Sequence, residues 1–239
     1  MGYQELQVIA YVILGIYILI AMRKKCNAKT IIVSIITIMV CITVFARLFF
    51  VIENFQKFLD GIYTIQSALR LKLSNFKIIG VLIGTIIGTI ILCKIYKKDA
   101  KTIANSVIEA MFLSAGYTKI VCTIVGCCRG KTTNLPWAVS YPQYGIHNIH
   151  PTALYEAFVW WISFALLHIL KRWIKEDSTR VSIATLFYVV VRMFLLEGLY
   201  EGTQFMGSIT ARIIYCIIIL ICITIIIVNY LKNRKLKNV

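Results

Sequence analysis

Long apolar runs separated by short polar, basic junctions make up most of the chain. A membrane-spanning helix needs about 17–25 mostly apolar residues, and seven stretches approach that length. They are residues 7–22, 30–52, 78–93, 102–128, 153–170, 181–199 and 213–231. The fourth is the least apolar because it carries Glu109 and Lys119. The pattern predicts an all-α, polytopic membrane helix bundle of about seven transmembrane helices, forming a single integral membrane domain over 1–239. Two loops are long enough to carry structure, 53–77 and 129–152. The second holds all three prolines (Pro136, Pro142, Pro151), Trp137, His147 and His150. Prolines and aromatics at that level suggest a folded segment resting on the membrane surface.

Charge changes the picture by giving the bundle a direction. The 26 Lys+Arg outnumber the 10 Asp+Glu, for a formal net charge of +16. A nucleic-acid binder would present such a surplus on a water-facing surface. Here it falls in clusters at the junctions after the first, third, fifth and seventh runs, such as Arg23-Lys24-Lys25 and Lys97-Lys98. The alternate loops carry fewer cations, namely Lys57, Arg70, Lys72, Lys77, Arg129 and Lys131. Lys and Arg mark the cytoplasmic side, so the amino terminus is expected outside and the carboxyl terminus in the cytoplasm. The first run is followed rather than preceded by positive charge, which reads as an anchoring helix and not a cleaved signal peptide. No internal repeat is visible, which removes the inverted-repeat signature of many transporters.

The residues that do not belong in hydrocarbon carry the chemistry. Arg47, Glu109, Lys119, Glu156, Arg192 and Glu197 lie inside or at the edge of predicted spans. Such residues cost a few kcal/mol to insert and usually pair or bind something. Structural pairing is one reading, with Arg192 against Glu197 and Glu109 against a cation. The other is an anionic headgroup held by Arg47, Lys119 and Arg192, since guanidinium and ammonium groups grip phosphate and stabilise charge on a leaving phosphate ester. A thiol nucleophile would also need a base, for which His147, His150 and Glu156 are candidates. His168, near the cytoplasmic end of its run, reads as an interfacial side chain. Gly126-Cys127-Cys128-Arg129-Gly130-Lys131-Thr132 lacks the spacing of a nucleotide P-loop, and its glycines read as a helix end that lets backbone approach a headgroup. Cys41, Cys93, Cys122, Cys216 and Cys222 fall in apolar runs as small hydrophobes. A zinc site at Cys127-Cys128 would need His147 and His150 as a second ligand pair, and neither metal nor cofactor is expected.

These residues resemble a known family. His150-Pro151-Thr152-Ala153-Leu154-Tyr155-Glu156 is similar to the His-Pro-Ser/Thr-Gln-Leu-Tyr-Glu signature of the prolipoprotein diacylglyceryl transferases. Residues 119–132 resemble that family's central motif in its Gly-Cys-Cys-Tyr-Gly-Lys-Pro-Thr variant. Ala46-Arg47-Leu48-Phe49-Phe50-Val51, Gly80-Val81-Leu82-Ile83-Gly84, and Arg192 with Glu197-Gly198-Leu199 resemble three further motifs in the same order.

The resemblance implies seven helices with the amino terminus outside, in the bacterial cytoplasmic (plasma) membrane. It also implies transfer of the diacylglyceryl group of phosphatidylglycerol to the lipobox cysteine of a prolipoprotein signal peptide. On that reading His150, Tyr155 and Glu156 are catalytic, and Arg47, Lys119, Gly126, Arg129, Gly130, Arg192 and Glu197 bind phospholipid. The chain departs from the family pattern at several places. Lys119 stands where the family has Arg, Cys122 where it has Asn, and Cys127 where its fuller motif has Glu. Ile79 stands for a His and Ala153 for a Gln, Arg129 takes a position commonly aromatic, and the interval from Arg192 to Glu197 is one residue longer. Two further readings are another acceptor on the same fold, and a non-catalytic phospholipid-binding or transport protein.

Overall fold

The computed structural model describes residues 3–62, 78–201 and 209–237. The rest of the 53–77 loop, with Arg70, Lys72 and Lys77, lies outside the described residues. The helices are α1 (Tyr3–Met22), α2 (Ala28–Glu53), α3 (Phe55–Leu59), α4 (Ile78–Ile95), α5 (Ala100–Val125), α6 (Thr152–Ile169), α7 (Asp177–Val191) and α8 (Ile209–Lys237). Five helical stretches are long and apolar enough to cross a membrane: Ala28–Ile52, Ala100–Val125, Thr152–Arg172, Asp177–Leu199 and Arg212–Arg234. The first and third expected spans form shorter apolar helices, Val8–Met22 and Gly80–Ile95.

The chain divides into two compact units, Met1–Met111 and Phe112–Val239. In the first, α2 presents two opposite stripes four residues apart. Ser34, Ile38, Ile42 and Ala46 are buried, whereas Ile32, Ile36, Val40, Val44 and Leu48 are exposed. An exposed stripe this apolar is what lipid tails cover. The buried side meets α4 at close range because Gly80 and Gly84 have no side chain. A Cβ at Gly80 would stand 2.4 Å from the Phe45 carbonyl oxygen, and one at Gly84 2.5 Å from that of Cys41. Small residues that let backbones touch are a common means of helix association in lipid. Leu14, Ile18, Met22, Leu92, Ile103 and Val107 complete this core. Glu109 is satisfied by the Tyr17 hydroxyl, which donates to Oε2 at 2.7 Å. An ion pair is therefore not needed to explain its presence there.

In the second unit, α6, α7 and α8 pack around Val159, Tyr188, Val189, Leu196, Tyr200 and Tyr215. One sequence expectation is corrected here. The fourth helix stops at Val125 rather than Cys128, because Gly126 takes φ +73° and closes it with its amide on the Cys122 carbonyl at 2.9 Å. The left-handed conformation is open to glycine and ends helices. Within the loop 129–152, expected as a folded segment, β1 (Val139–Tyr141) and β2 (Ile146–Ile149) form a short antiparallel hairpin. The fold is otherwise helical.

Past Val191 the helix changes winding. Arg192–Leu196 is a π-helical turn and Glu197–Leu199 a 3-10 turn. A π turn inserts one residue into a helix without breaking it. Across the five-residue interval from Arg192 to Glu197 it brings the two side chains to face one another.

Candidate functional site

Glu156, one turn into α6, is the centre of the site and is 1% exposed. Four groups converge on its carboxylate. Lys119 Nζ, from α5, lies 2.9 Å from Oε2. Arg192 Nε lies 3.5 Å from the same oxygen, an ion pair without hydrogen-bond geometry. The Tyr200 hydroxyl makes a short hydrogen bond to Oε2, and the Tyr188 hydroxyl donates to Oε1 at 2.8 Å. Arg192 turns its terminal nitrogen to Glu197, 2.8 Å away, and lays its guanidinium 4.4 Å from the Tyr200 ring centroid, within cation–π range. Trp160 stacks on Tyr188 with ring centroids 3.8 Å apart.

The arrangement is a nearly dry, balanced cluster, two cations against two carboxylates. Buried charges persist only when paired and hydrogen-bonded, and here each has a partner. Arg192 is 2% exposed, so its charge is committed to the interior. Lys119 and Glu197 keep 16% and 19% of their side chains exposed. An ammonium has three donors, so Lys119 has donor capacity beyond its contact with Glu156. Burial and the Glu156 carboxylate push the Tyr200 hydroxyl well above its ordinary range, so it remains a donor.

The backbone around this cluster is held by loop-to-loop pairing. Gly130 bridges Tyr200, Lys131 N donates to the Leu199 carbonyl at 2.8 Å, and Glu201 N donates to that of Arg129 at 3.0 Å. His150 N donates to the Lys131 carbonyl at 2.9 Å. This brings the His150 carbonyl so close to Gly130 that a Cβ there would sit 2.4 Å from it. The Thr152 hydroxyl donates to the Cys128 carbonyl at 3.0 Å. Gly126 ends α5, as its sequence position suggested, whereas Gly130 makes room for the protein's own His150 carbonyl.

His150 stands beside Tyr155, ring centroids 6.3 Å apart, and its Nδ1 is buried with no hydrogen-bond partner among the described residues. Tyr155 accepts a hydrogen bond from Trp137 Nε1 at 2.6 Å. Arg129 donates to the Gly126 carbonyl at 3.0 Å and covers the Tyr144 ring at 5.1 Å. Arg47 belongs to the first unit, where its guanidinium lies 6.0 Å from the Phe50 ring centroid and within electrostatic reach of Tyr11. His168, expected at an interface, packs edge-on to Phe164 at 4.7 Å.

Cys127 and Cys128 do not gather His147 and His150 around them. Their third neighbour is Cys122, and all three sulfurs lie within 4.8 Å of one another.

Tyr188, Tyr200 and Trp160 were missed by sequence reasoning. Tyr188 precedes Arg192 by four residues and so shares its helix face, a signal that was present in the sequence.

Residues 5–229 match the family described as Prolipoprotein diacylglyceryl transferase. The chain belongs to that family. Among relatives named phosphatidylglycerol–prolipoprotein diacylglyceryl transferase, the one from Clostridium tetani is 29% identical over 169 residues, 67% of this chain and 67% of its own. The one from Clostridioides difficile is 27% identical over 229 residues, covering 95% of this chain and 88% of its own. A third, from Finegoldia magna, is 31% identical over 105 residues, 44% of this chain and 41% of its own.

Proposed function

We propose that this chain transfers the diacylglyceryl group of phosphatidylglycerol to the lipobox cysteine thiol of prolipoproteins. Family membership supports the reaction. The observation that carries it to particular residues is the convergence of Lys119 and Arg192 on Glu156. The seven apolar stretches form one integral domain in the bacterial cytoplasmic membrane, amino terminus outside, with this site toward the outer leaflet. Partners are phosphatidylglycerol and the prolipoprotein signal peptide.

In this mechanism the lipobox thiol gives its proton to the His150 imidazole. The sulfur then attacks the glycerol carbon that bears the phosphate ester. An S–C bond forms as the C–O bond breaks, leaving a thioether and glycerol phosphate, which departs with the electron pair. Lys119 meets the charge growing on the leaving phosphate, as fixed cations do in phosphoryl chemistry. Glu156 and Arg192 position Lys119 and keep the site neutral before substrate arrives. Tyr155, fixed by Trp137, orients His150. Gly126, Arg129 and Gly130 shape the backbone against the headgroup, and Glu197 fixes Arg192. Arg47, in the first unit, is a phospholipid-binding group in its own right.

A host depleted of its own transferase tests the proposal. Expression of this chain is expected to restore thioether-linked lipoproteins, and a Lys119→Met variant is not. Restored growth without lipoprotein modification would point to another acceptor. Bound phospholipid with intact phenotype in Lys119→Met would point to a non-catalytic lipid-binding role.

A further inference from the structure

Nothing in the transfer reaction uses the three cysteines at the end of α5. Cys122 is buried in the last turn, Cys128 half-buried and Cys127 exposed, and their sulfurs lie within 4.8 Å of one another. The positive φ of Gly126 folds the chain back so that residues five and six beyond Cys122 return to it. Cys127 Sγ and Cys128 Sγ are 3.9 Å apart.

A disulfide holds two sulfurs at about 2.0 Å; a metal ion can hold all three. Thiolates at about 2.3 Å from one metal ion stand roughly 3.8–4.0 Å apart, whether the geometry is tetrahedral or trigonal. The Cys127–Cys128 spacing of 3.9 Å falls in that range, and Cys122 completes a group close enough to share one ion.

We propose that Cys122, Cys127 and Cys128 form a three-thiolate site for a thiophilic d10 metal ion, cuprous copper or zinc. Soft thiolate ligands select these ions. Three sulfurs complete the shell of a trigonal cuprous ion, and zinc takes a water as its fourth ligand on the exposed side of Cys127. On binding, each thiol releases its proton to solvent and each sulfur donates one lone pair. Three thiolates leave the filled site at −2 with Cu(I) or −1 with Zn(II). Lys119 lies three residues before Cys122 and so on the same helix face, and Arg129 binds the Gly126 carbonyl in the turn itself. Both cations offset the residual charge. The ion joins the end of α5 to the turn leading into Arg129–Lys131, so it is a structural staple for the loop that pairs with Leu199–Glu201.

The test uses the full chain in detergent, with Cys26, Cys41, Cys93, Cys216 and Cys222 replaced by alanine, reduced with a phosphine and offered Zn(II) or Cu(I) in separate arms. One equivalent of metal is expected by mass spectrometry of the eluted ion. Loading should protect the three thiols from alkylation and raise the thermal midpoint. Cys127→Ser, at an exposed position where folding is undisturbed, should lose both effects while its unloaded midpoint stays that of the parent. Failure to retain either metal, or equal retention by Cys127→Ser, would overturn the proposal. So would isolation of the native protein, without added oxidant, with a disulfide between any two of the three.

Discussion

Lys119 and Glu156 face one another at 2.9 Å from two different helices, and the carboxylate is shared with Arg192, Tyr188 and Tyr200. This one carboxylate ties together Lys119, Arg192, Tyr188 and Tyr200 in the second unit's interior. Both of its oxygens are engaged, and the proposed mechanism gives the work of a base to His150.

Glu156→Gln removes the charge that two buried cations share. Breaking a buried pair by deleting one partner costs about 3–5 kcal/mol, and a large fall in the thermal midpoint in detergent is expected. The double variant Glu156→Gln with Lys119→Met should recover part of that loss. A double variant no more stable than Glu156→Gln alone would show that the pair is not coupled in the way the distances indicate.

Tyr200→Phe keeps the ring under Arg192 but removes the hydroxyl donated to Glu156. A hydrogen bond to a charged group contributes about 1.5–3 kcal/mol, so the expected loss is of that order. Tyr188→Phe should behave alike, because its ring still stacks on Trp160. Paired unfolding measurements on the two variants check this, and stability unchanged in both would contradict it.

Gly130→Ala places a methyl group against the His150 carbonyl, which must move along with its imidazole. Transfer should fall sharply while expression and helical content by circular dichroism change little. Wild-type transfer by Gly130→Ala would mean that His150 is not positioned by this contact.

Lys119→Arg and Lys119→Met separate charge from shape. The arginine keeps the positive charge and gains a planar fork, so transfer should persist. Loss of a transition-state donor lowers kcat by roughly 10²–10³-fold, the fall expected for Lys119→Met. Steady-state kinetics with a lipobox peptide would show the drop in kcat rather than in KM.

Much of this was readable in the chain before any coordinates. Glu156, Lys119 and Arg192 announced themselves as charges in apolar runs, and the His150–Glu156 motif gave the site its neighbours. Tyr188 and Tyr200 did not, because tyrosine is at home at a membrane boundary and only contact with a carboxylate marks it as different. The π turn at Arg192–Leu196 was also hidden, since a five-residue interval matches no face of a regular helix. Cys122 looked like filler in an apolar run, and only the backward fold at Gly126 brings it to Cys127 and Cys128. Local pattern records burial and period well; it does not record where a chain reverses.

The most direct test of the central claim is the mass of a lipobox peptide incubated with the purified protein and phosphatidylglycerol. The account predicts the added mass of one diacylglyceryl group, absent with Lys119→Met and absent when the lipobox cysteine is replaced by serine. A peptide that gains no such mass, under conditions in which the Clostridioides difficile relative modifies it, would contradict the account.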